Sequence, residues 1–357
     1  MFSANRLKIA RKRKKLTHKA LAERIGVTPL TISRLEKGST LPELDTLEAL
    51  VKELSFPKEF FFGDDLDEPS VESASFRSLT SMTAKERDAA LSAGALAYLL
   101  NGWVEENFNL PDADLIDLGY ETDPQNAART LRQHWGLGER PIGNIINLFE
   151  SKGMRVFSLS ENTKNVDAFS CWRSSTPFVF LNNYKTPEHS RFDAAHELGH
   201  LVLHRHGAPQ GRKAEIEANQ FASSFLMPAT DVISTIPRCS SITKLIKVKR
   251  RWGVSLAALA YRLNKMRILS DWNYRTICIQ ISKHGKKKEV NGLGREESEV
   301  WKKIFRTLWS ERITKDHVAT DLHIPLNELE NLVFGLVISK PSDDETSSHG
   351  SRTLKAV

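Results

Sequence analysis

Apolar residues recur at helical spacing along most of this chain, and capping residues and breakers fall between the runs. Asn5 to Lys14 reads as a short helix with Leu7 and Ala10 inward. Thr17 is the N-cap of a second helix, His18 to Ile25, which Gly26 ends. Thr28 caps a third, Pro29 to Lys37, with proline in the first helical position and Gly38 as the stop. Pro42 to Leu54 gives further helix. Gly63 to Met82 is acidic, then serine-rich, and reads as a linker. Thr83 with Glu86 three residues on opens a long helix to Phe108. Asp123 to Trp135 and Ile142 to Ser151 follow, the last closed by Gly153.

Three short runs then change period. Arg155 to Leu159, Ala168 to Trp172 and Phe178 to Leu181 are aromatic or β-branched and bounded by turn residues, which predicts a small antiparallel sheet. Phe192 to His206 is helical and apolar nearly all round, so it is a buried helix. Ile216, Ala218, Phe221, Ala222, Phe225 and Leu226 give one more helix, ended by Pro228. Leu256 to Lys265 is helical, Thr276 to Ser282 alternates as a strand, and Glu296 to Leu336 forms a helical module. The expected fold is α+β and mostly helical. An all-α helix-turn-helix unit occupies 1–62 and a linker 63–82. A larger domain with the small sheet spans 83–290, a helical module 291–339, and a disordered polar tail 340–357.

Composition narrows the class. The chain has 357 residues and a net charge of +7, and before Gly63 there are 13 Lys and Arg against 7 Asp and Glu, so most of the excess is local. Cys171, Cys239 and Cys278 show no CxxC spacing and cannot all pair, which points to a reducing, cytoplasmic setting. The most apolar window, Ala89 to Val104, is interrupted by Asn101 and Gly102, so a core helix is expected there and no membrane span.

Leu16 to Leu54 resembles the phage-repressor (XRE) helix-turn-helix at Leu16-Thr17, Leu21-Ala22, Gly26-Val27, Ile32-Ser33, Glu36, Gly38, Pro42 and Leu47. The resemblance implies double-stranded DNA as partner, a homodimer on two half-sites, and a DNA-facing set of Thr17, His18, Thr28, Pro29, Leu30, Thr31, Arg34 and Lys37. His18 stands where the family usually has glutamine, and Pro29-Leu30 where repressors often carry base-reading polar residues. Arg34 is then the best base reader, with Thr28 and Thr31 next. The basic run Arg11 to Lys15 is a candidate phosphate contact, or a solvated helix end. A second stretch of this rhythm, Val318 to Leu336, carries Glu328 and Glu330 and no Lys or Arg, which favours packing over DNA.

The chemistry concentrates in His196-Glu197-Leu198-Gly199-His200. Residues four apart on a helix share a face, so both imidazoles can aim at one point, with Glu197 on the next row. Two neutral imidazoles suit zinc, and a carboxylate beside a zinc-activated water is the general base of a metallopeptidase. The alternative is a pair of buried core histidines. A catalytic zinc needs a third protein ligand. Glu215 and Glu217 come next, roughly 200° apart around their helix, so only one can face the metal.

RFDAAHELGHLVLH followed by EIEANQFASSFLMP resembles the ImmA/IrrE metallopeptidases, a gluzincin-like plan, from about Ile142 to Pro228. The resemblance implies zinc as cofactor with His196, His200 and Glu215 as ligands. It also implies Glu197 as catalytic base and Asn219 as a partner behind the ligands. Glu217 is the fallback ligand. His204, one turn on, is a further candidate beside the metal, and Tyr184, His189 and Arg191 are weaker ones. In this layout an edge strand holds an extended peptide by backbone hydrogen bonds. Together the features predict a DNA-binding regulator with a zinc-dependent endopeptidase that cleaves a partner repressor or its own linker near Glu68 to Ser81. The rivals are a transcription factor whose peptidase-like body is an inert sensor or dimerisation unit, and an antitoxin-like DNA-binding partner protein.

Overall fold

The computed structural model describes residues 1–70, 75–76, 83–159, 168–182, 184–206, 211–238, 241–283, 289 and 291–337. The expected tail 340–357 and all but the first residue of the basic stretch 283–288 lie outside these residues, as do 71–74 and 77–82 of the expected linker.

The chain begins with four short helices, α1 (Ala4–Arg13), α2 (His18–Ile25), α3 (Pro29–Glu36) and α4 (Leu44–Leu54). Thr17 and Thr28 cap α2 and α3 by accepting from the amides of Ala20 and Thr31. Gly26 closes α2 at φ 75°, a left-handed conformation that glycine adopts without strain. Leu7, Leu21, Ile32, Leu35, Leu50 and Leu54 close the core of this unit.

The stretch after Gly63 is not a bare tether. Ser3 Oγ donates to Asp65 (2.6 Å), Arg6 Nε to the Asp64 carbonyl (2.6 Å), and Asn5 exchanges two hydrogen bonds with the backbone of Leu66. Beyond it, the two-residue strand β1 (Ser75–Phe76) leads to α5 (Ala84–Asn107), capped by the Thr83–Glu86 box. Then come α6 (Pro124–His134) and α7 (Ile145–Ser151), the latter starting at the Asn144 cap rather than at Ile142.

The sheet is mixed, where a purely antiparallel one was expected. β2 (Arg155–Leu159), β3 (Ala168–Arg173) and β4 (Thr176–Asn182) join β1 in the order β1-β3-β4-β2. β3 and β4 form a hairpin, but β2 runs parallel to β4. The strands are apolar runs buried over most of their length, which suits a mixed sheet as well as an antiparallel one. Phe169 and Phe180 stack across the hairpin with ring centroids 4.2 Å apart.

Across the sheet lies α8 (Pro187–Leu203), and against α8 lies α9 (Arg212–Leu226). Short helices follow: α10 (Ala229–Thr235), α11 (Ile242–Val248), α12 (Leu256–Lys265), α13 (Asp271–Lys283), α14 (Glu299–Ser310), α15 (Lys315–Asp321) and α16 (Leu326–Val333). The expected strand at Thr276 to Ser282 is part of α13. Alternation misled there because Thr276 and Ser282 return their hydroxyls to carbonyls four residues back, and only Ile277 of the helix is buried. No helix among the described residues is long and apolar enough to cross a membrane.

Two ion-paired anchors hold the parts together. Arg191, 3 % exposed and near the middle of α8, donates to Glu296, to the Gly143 carbonyl (2.7 Å), to the Ile142 carbonyl and to the Trp252 carbonyl (3.2 Å). It fixes α8 against these segments. Arg13 of α1 donates through Nε (3.0 Å) and Nη2 (2.8 Å) to Glu328 of α16, and through Nη1 to the Ala89 carbonyl of α5 (2.8 Å). Both side chains are nearly buried. Removing one partner of a buried pair strands the other charge. Glu328→Ala is expected to lower the unfolding free energy by about 3 kcal/mol and to raise amide hydrogen exchange in α1 and α16 together. Unchanged exchange in both helices would contradict the clamp.

Candidate metal centre and DNA-facing helices

The α8–α9 contact builds the site. Gly199 faces α9, and a Cβ there would meet Phe221 Cδ1 at 3.1 Å and the Ala218 Cα at 3.2 Å. Glycine therefore lets the two backbones approach, and Phe221, stacked on Phe225, seals the seam. At this separation Glu215, in the first turn of α9, reaches the imidazoles of α8.

Donor atoms of three residues converge. His196 Nε2 and His200 Nε2 are 3.1 Å apart; Glu215 Oε2 is 3.3 Å from the first and Oε1 is 3.5 Å from the second. Bonds of about 2.0–2.1 Å in a tetrahedron place donor atoms roughly 3.3 Å from one another, so these separations are of the size that zinc ligands have. Among the described residues this trio is the one group of His, Cys, Asp or Glu able to hold a metal ion. Burial pushes the Glu215 carboxyl up, but the hydrogen bonds and charge of the two histidines together outweigh it and hold the group at about 2. Glu217 lies on the other side of α9 and meets His204 instead (3.1 Å).

Glu197 points toward the sheet. Its Oε2 accepts from Ser170 Oγ of β3 at 2.8 Å, and both residues are buried. Ser170 was not singled out from the sequence; nothing in a lone serine within an apolar strand marks it until the sheet is docked on α8. Asn219, expected behind an imidazole, donates to the Glu215 backbone carbonyl one turn back (2.7 Å). That satisfies its amide within its own helix and leaves the rings to other partners. His204 caps α8, with its Nδ1 2.9 Å from His200 Nδ1. Burial first and His200 second push its imidazole below the usual range, against the pull of Glu217. Tyr184 is 40 % exposed, and His189 sits 3.6 Å from Asp193. Cys171, buried against the Tyr98 hydroxyl (3.0 Å), is pushed up to about 12 by burial, which leaves no thiolate for nucleophilic chemistry.

Beside the trio lies a cavity of about 380 Å³ between α8, α9 and α12, lined by Phe192, Ile216, Asn219, Gln220 and Tyr261 among others. Phe192 is one turn from His196 and Asn219 one turn from Glu215, so both helices of the trio contribute to its wall.

On the first domain, Thr28, Pro29, Leu30, Arg34 and Lys37 of α3 and its ends are exposed, with Thr31 half-buried. Thr31 and Thr28 share a hydrogen bond between hydroxyls (2.9 Å). Thr17 is exposed beside His18, whose Nε2 meets Glu36 at 2.8 Å. The basic run is mostly engaged within the chain. Arg11 grips Glu36 through two hydrogen bonds, Lys12 lies 3.6 Å from Glu68, and Arg13 is clamped to Glu328. These three cations pair within the chain, a role that a charge count does not show.

The family model for a helix-turn-helix matches residues 7–61, and that for the IrrE N-terminal-like domain matches residues 149–264. The chain thus joins an N-terminal helix-turn-helix domain of the XRE type to an IrrE-like peptidase-family domain. No curated protein matches the chain. Among solved structures, a Mycobacterium tuberculosis transcriptional regulator is 16 % identical, with a TM-score of 0.29 over 47 % of this chain. The chain spans about half the length (51 %) of that protein.

The helix contact yields a test. In an exposed helix, Gly→Ala stabilises by about 1 kcal/mol. At Gly199 the added methyl meets a backbone atom of the facing helix, and overpacking costs about 1–3 kcal/mol. Gly199→Ala is expected to destabilise by up to roughly 2 kcal/mol in urea unfolding, the overpacking cost less the propensity gain. A net stabilisation would contradict the close helix contact.

Proposed function

We propose that this protein is a DNA-binding transcriptional regulator that carries a zinc-dependent endopeptidase. The observation that carries the reading is the triangle of His196, His200 and Glu215 donor atoms. Its edges suit zinc, and its chemistry, two imidazoles and one carboxylate, is that of a catalytic site with a position left for water or substrate. Zinc held there supplies a Lewis acid for a scissile carbonyl and makes a water acidic near neutral pH. Glu197 would be the proton acceptor and donor of this chemistry, the general base and then the general acid. The Ser170 hydroxyl holds the Glu197 carboxylate in one orientation by a hydrogen bond to Oε2. Phe192, Ile216 and Tyr261 offer apolar walls for a substrate side chain next to the cut bond.

The substrate is an extended polypeptide, and the chain's own linker is a natural one. β1 pairs antiparallel with β3, with Ser75 opposite Ser170. That is the backbone pairing by which a sheet edge takes up a peptide, and its register lies beside the residue that holds Glu197. Cleavage in this segment severs the DNA-binding domain from the rest; a partner repressor in the same extended form is the other candidate. The helix-turn-helix reads double-stranded DNA as a homodimer through the exposed face of α3, with Arg34 the main base contact.

A second reading has support in the stitching of the first domain to α5, α16 and Asp64–Leu66. There the peptidase-like body is a sensor or dimerisation unit and does no chemistry. Comparing wild-type, Glu197→Gln and Arg34→Ala full-length proteins separates the two. The first reading expects zinc-dependent cleavage of the linker or of a helix-turn-helix repressor. It expects at least about a hundredfold loss in Glu197→Gln with DNA affinity retained, and about tenfold weaker DNA binding in Arg34→Ala with cleavage retained. Cleavage that continues unchanged in Glu197→Gln rules out this mechanism.

A further inference from the structure

We propose that His204 and Glu217 form a hydrogen-bonded relay that sets the tautomer of His200, so that its Nε2 lone pair points at the cation. The inference deepens the metal reading above and rests on it. His200 Nε2 faces His196 and Glu215, while its other nitrogen, Nδ1, lies 2.9 Å from His204 Nδ1. His204 Nε2 lies 3.1 Å from Glu217 Oε2. The His204 side chain is 7 % exposed, so water does little to blur these choices.

Two ring nitrogens at 2.9 Å share one hydrogen. In one arrangement His200 carries it on Nδ1 and donates to the His204 Nδ1 lone pair. The proton of neutral His204 then sits on Nε2 and donates to the Glu217 carboxylate, and His200 Nε2 is left as a lone pair for the metal. In the reverse arrangement His204 donates from Nδ1, which places the His200 proton on Nε2, in the position of the cation. It also turns the His204 Nε2 lone pair toward a carboxylate oxygen, a repulsive contact. Glu217 therefore selects the first arrangement. A carboxylate that orients a ligand imidazole through its far nitrogen is the usual way proteins fix a metal-bound histidine; here a second imidazole is interposed. Glu217 is thus a positioning residue and not a spare ligand.

The test uses the full chain, with zinc affinity measured by competition against a chromophoric chelator and ring tautomers by ¹⁵N NMR of selectively labelled histidine. His204→Leu removes the acceptor and is expected to weaken zinc binding about tenfold to a hundredfold. His204→Asn restores an acceptor at the δ position and recovers most of that loss. Glu217→Ala, which touches neither proposed ligand ring, weakens binding in the same direction and serves if His204→Leu fails to fold. In zinc-loaded wild type, His204 is expected as the Nε2–H tautomer and His200 as Nδ1–H. The inference is overturned by unchanged affinity in His204→Leu or in Glu217→Ala, or by the opposite tautomers. Wild type that binds no zinc overturns the metal reading itself, a separate outcome.

Discussion

The site depends on how closely two helices can lie. α8 supplies two imidazoles from one face, a local consequence of four-residue spacing. The carboxylate that completes the set comes from α9, and its reach is fixed by a backbone contact at Gly199, where a methyl group would already touch Ala218 and Phe221. Burial of Phe221, Phe225, Leu198 and Val202 keeps the helices together, while Arg191 pins α8 to three other segments. An apolar seam therefore holds a polar cluster at its open end. That arrangement favours a cation, because His196 and His200 are desolvated and their facing nitrogens gain most from a shared positive charge.

The first domain reuses its basic residues for architecture. Arg11 braces Glu36 beneath α3, Arg13 crosses to α16, and Arg6 reaches the carbonyl of Asp64. One face of α3 stays exposed, while α1 is tied to α5 and to the C-terminal module. Any event that loosens α5, α16 or the segment around Asp65 bears on the anchoring of the DNA-binding unit. The placement of β1 on β3 brings that same connection to the edge of the peptidase-like sheet. Site, linker and DNA-binding domain thus share a short physical route.

Much of this was legible in the sequence because local rules governed it. Thr17, Gly26, Thr28 and Pro29 mark the helix-turn-helix by capping chemistry alone, and His196 and His200 follow from spacing. Glu215 was preferred over Glu217 by family resemblance, and the geometry brings Glu215 to the rings. What sequence missed was set by contacts distant along the chain. Ser170 acquires its partner only when β3 docks on α8. The parallel pairing of β2 with β4 leaves no mark in two apolar runs. Alternation at Thr276 to Ser282 looked like a strand because the helix there buries so little. The ion pairs of Arg11, Lys12 and Arg13 were not legible because their acidic partners lie as far off as Glu328.

The central claim is that two imidazoles of one helix and a carboxylate of the next share one zinc ion. X-ray absorption at the zinc edge, with metal analysis of the purified full chain, tests it most directly. The account predicts about one zinc per chain, with two histidine nitrogens and oxygen at about 2.0–2.2 Å in the first shell. Less than about half an equivalent of zinc, or a shell dominated by sulfur, would contradict it.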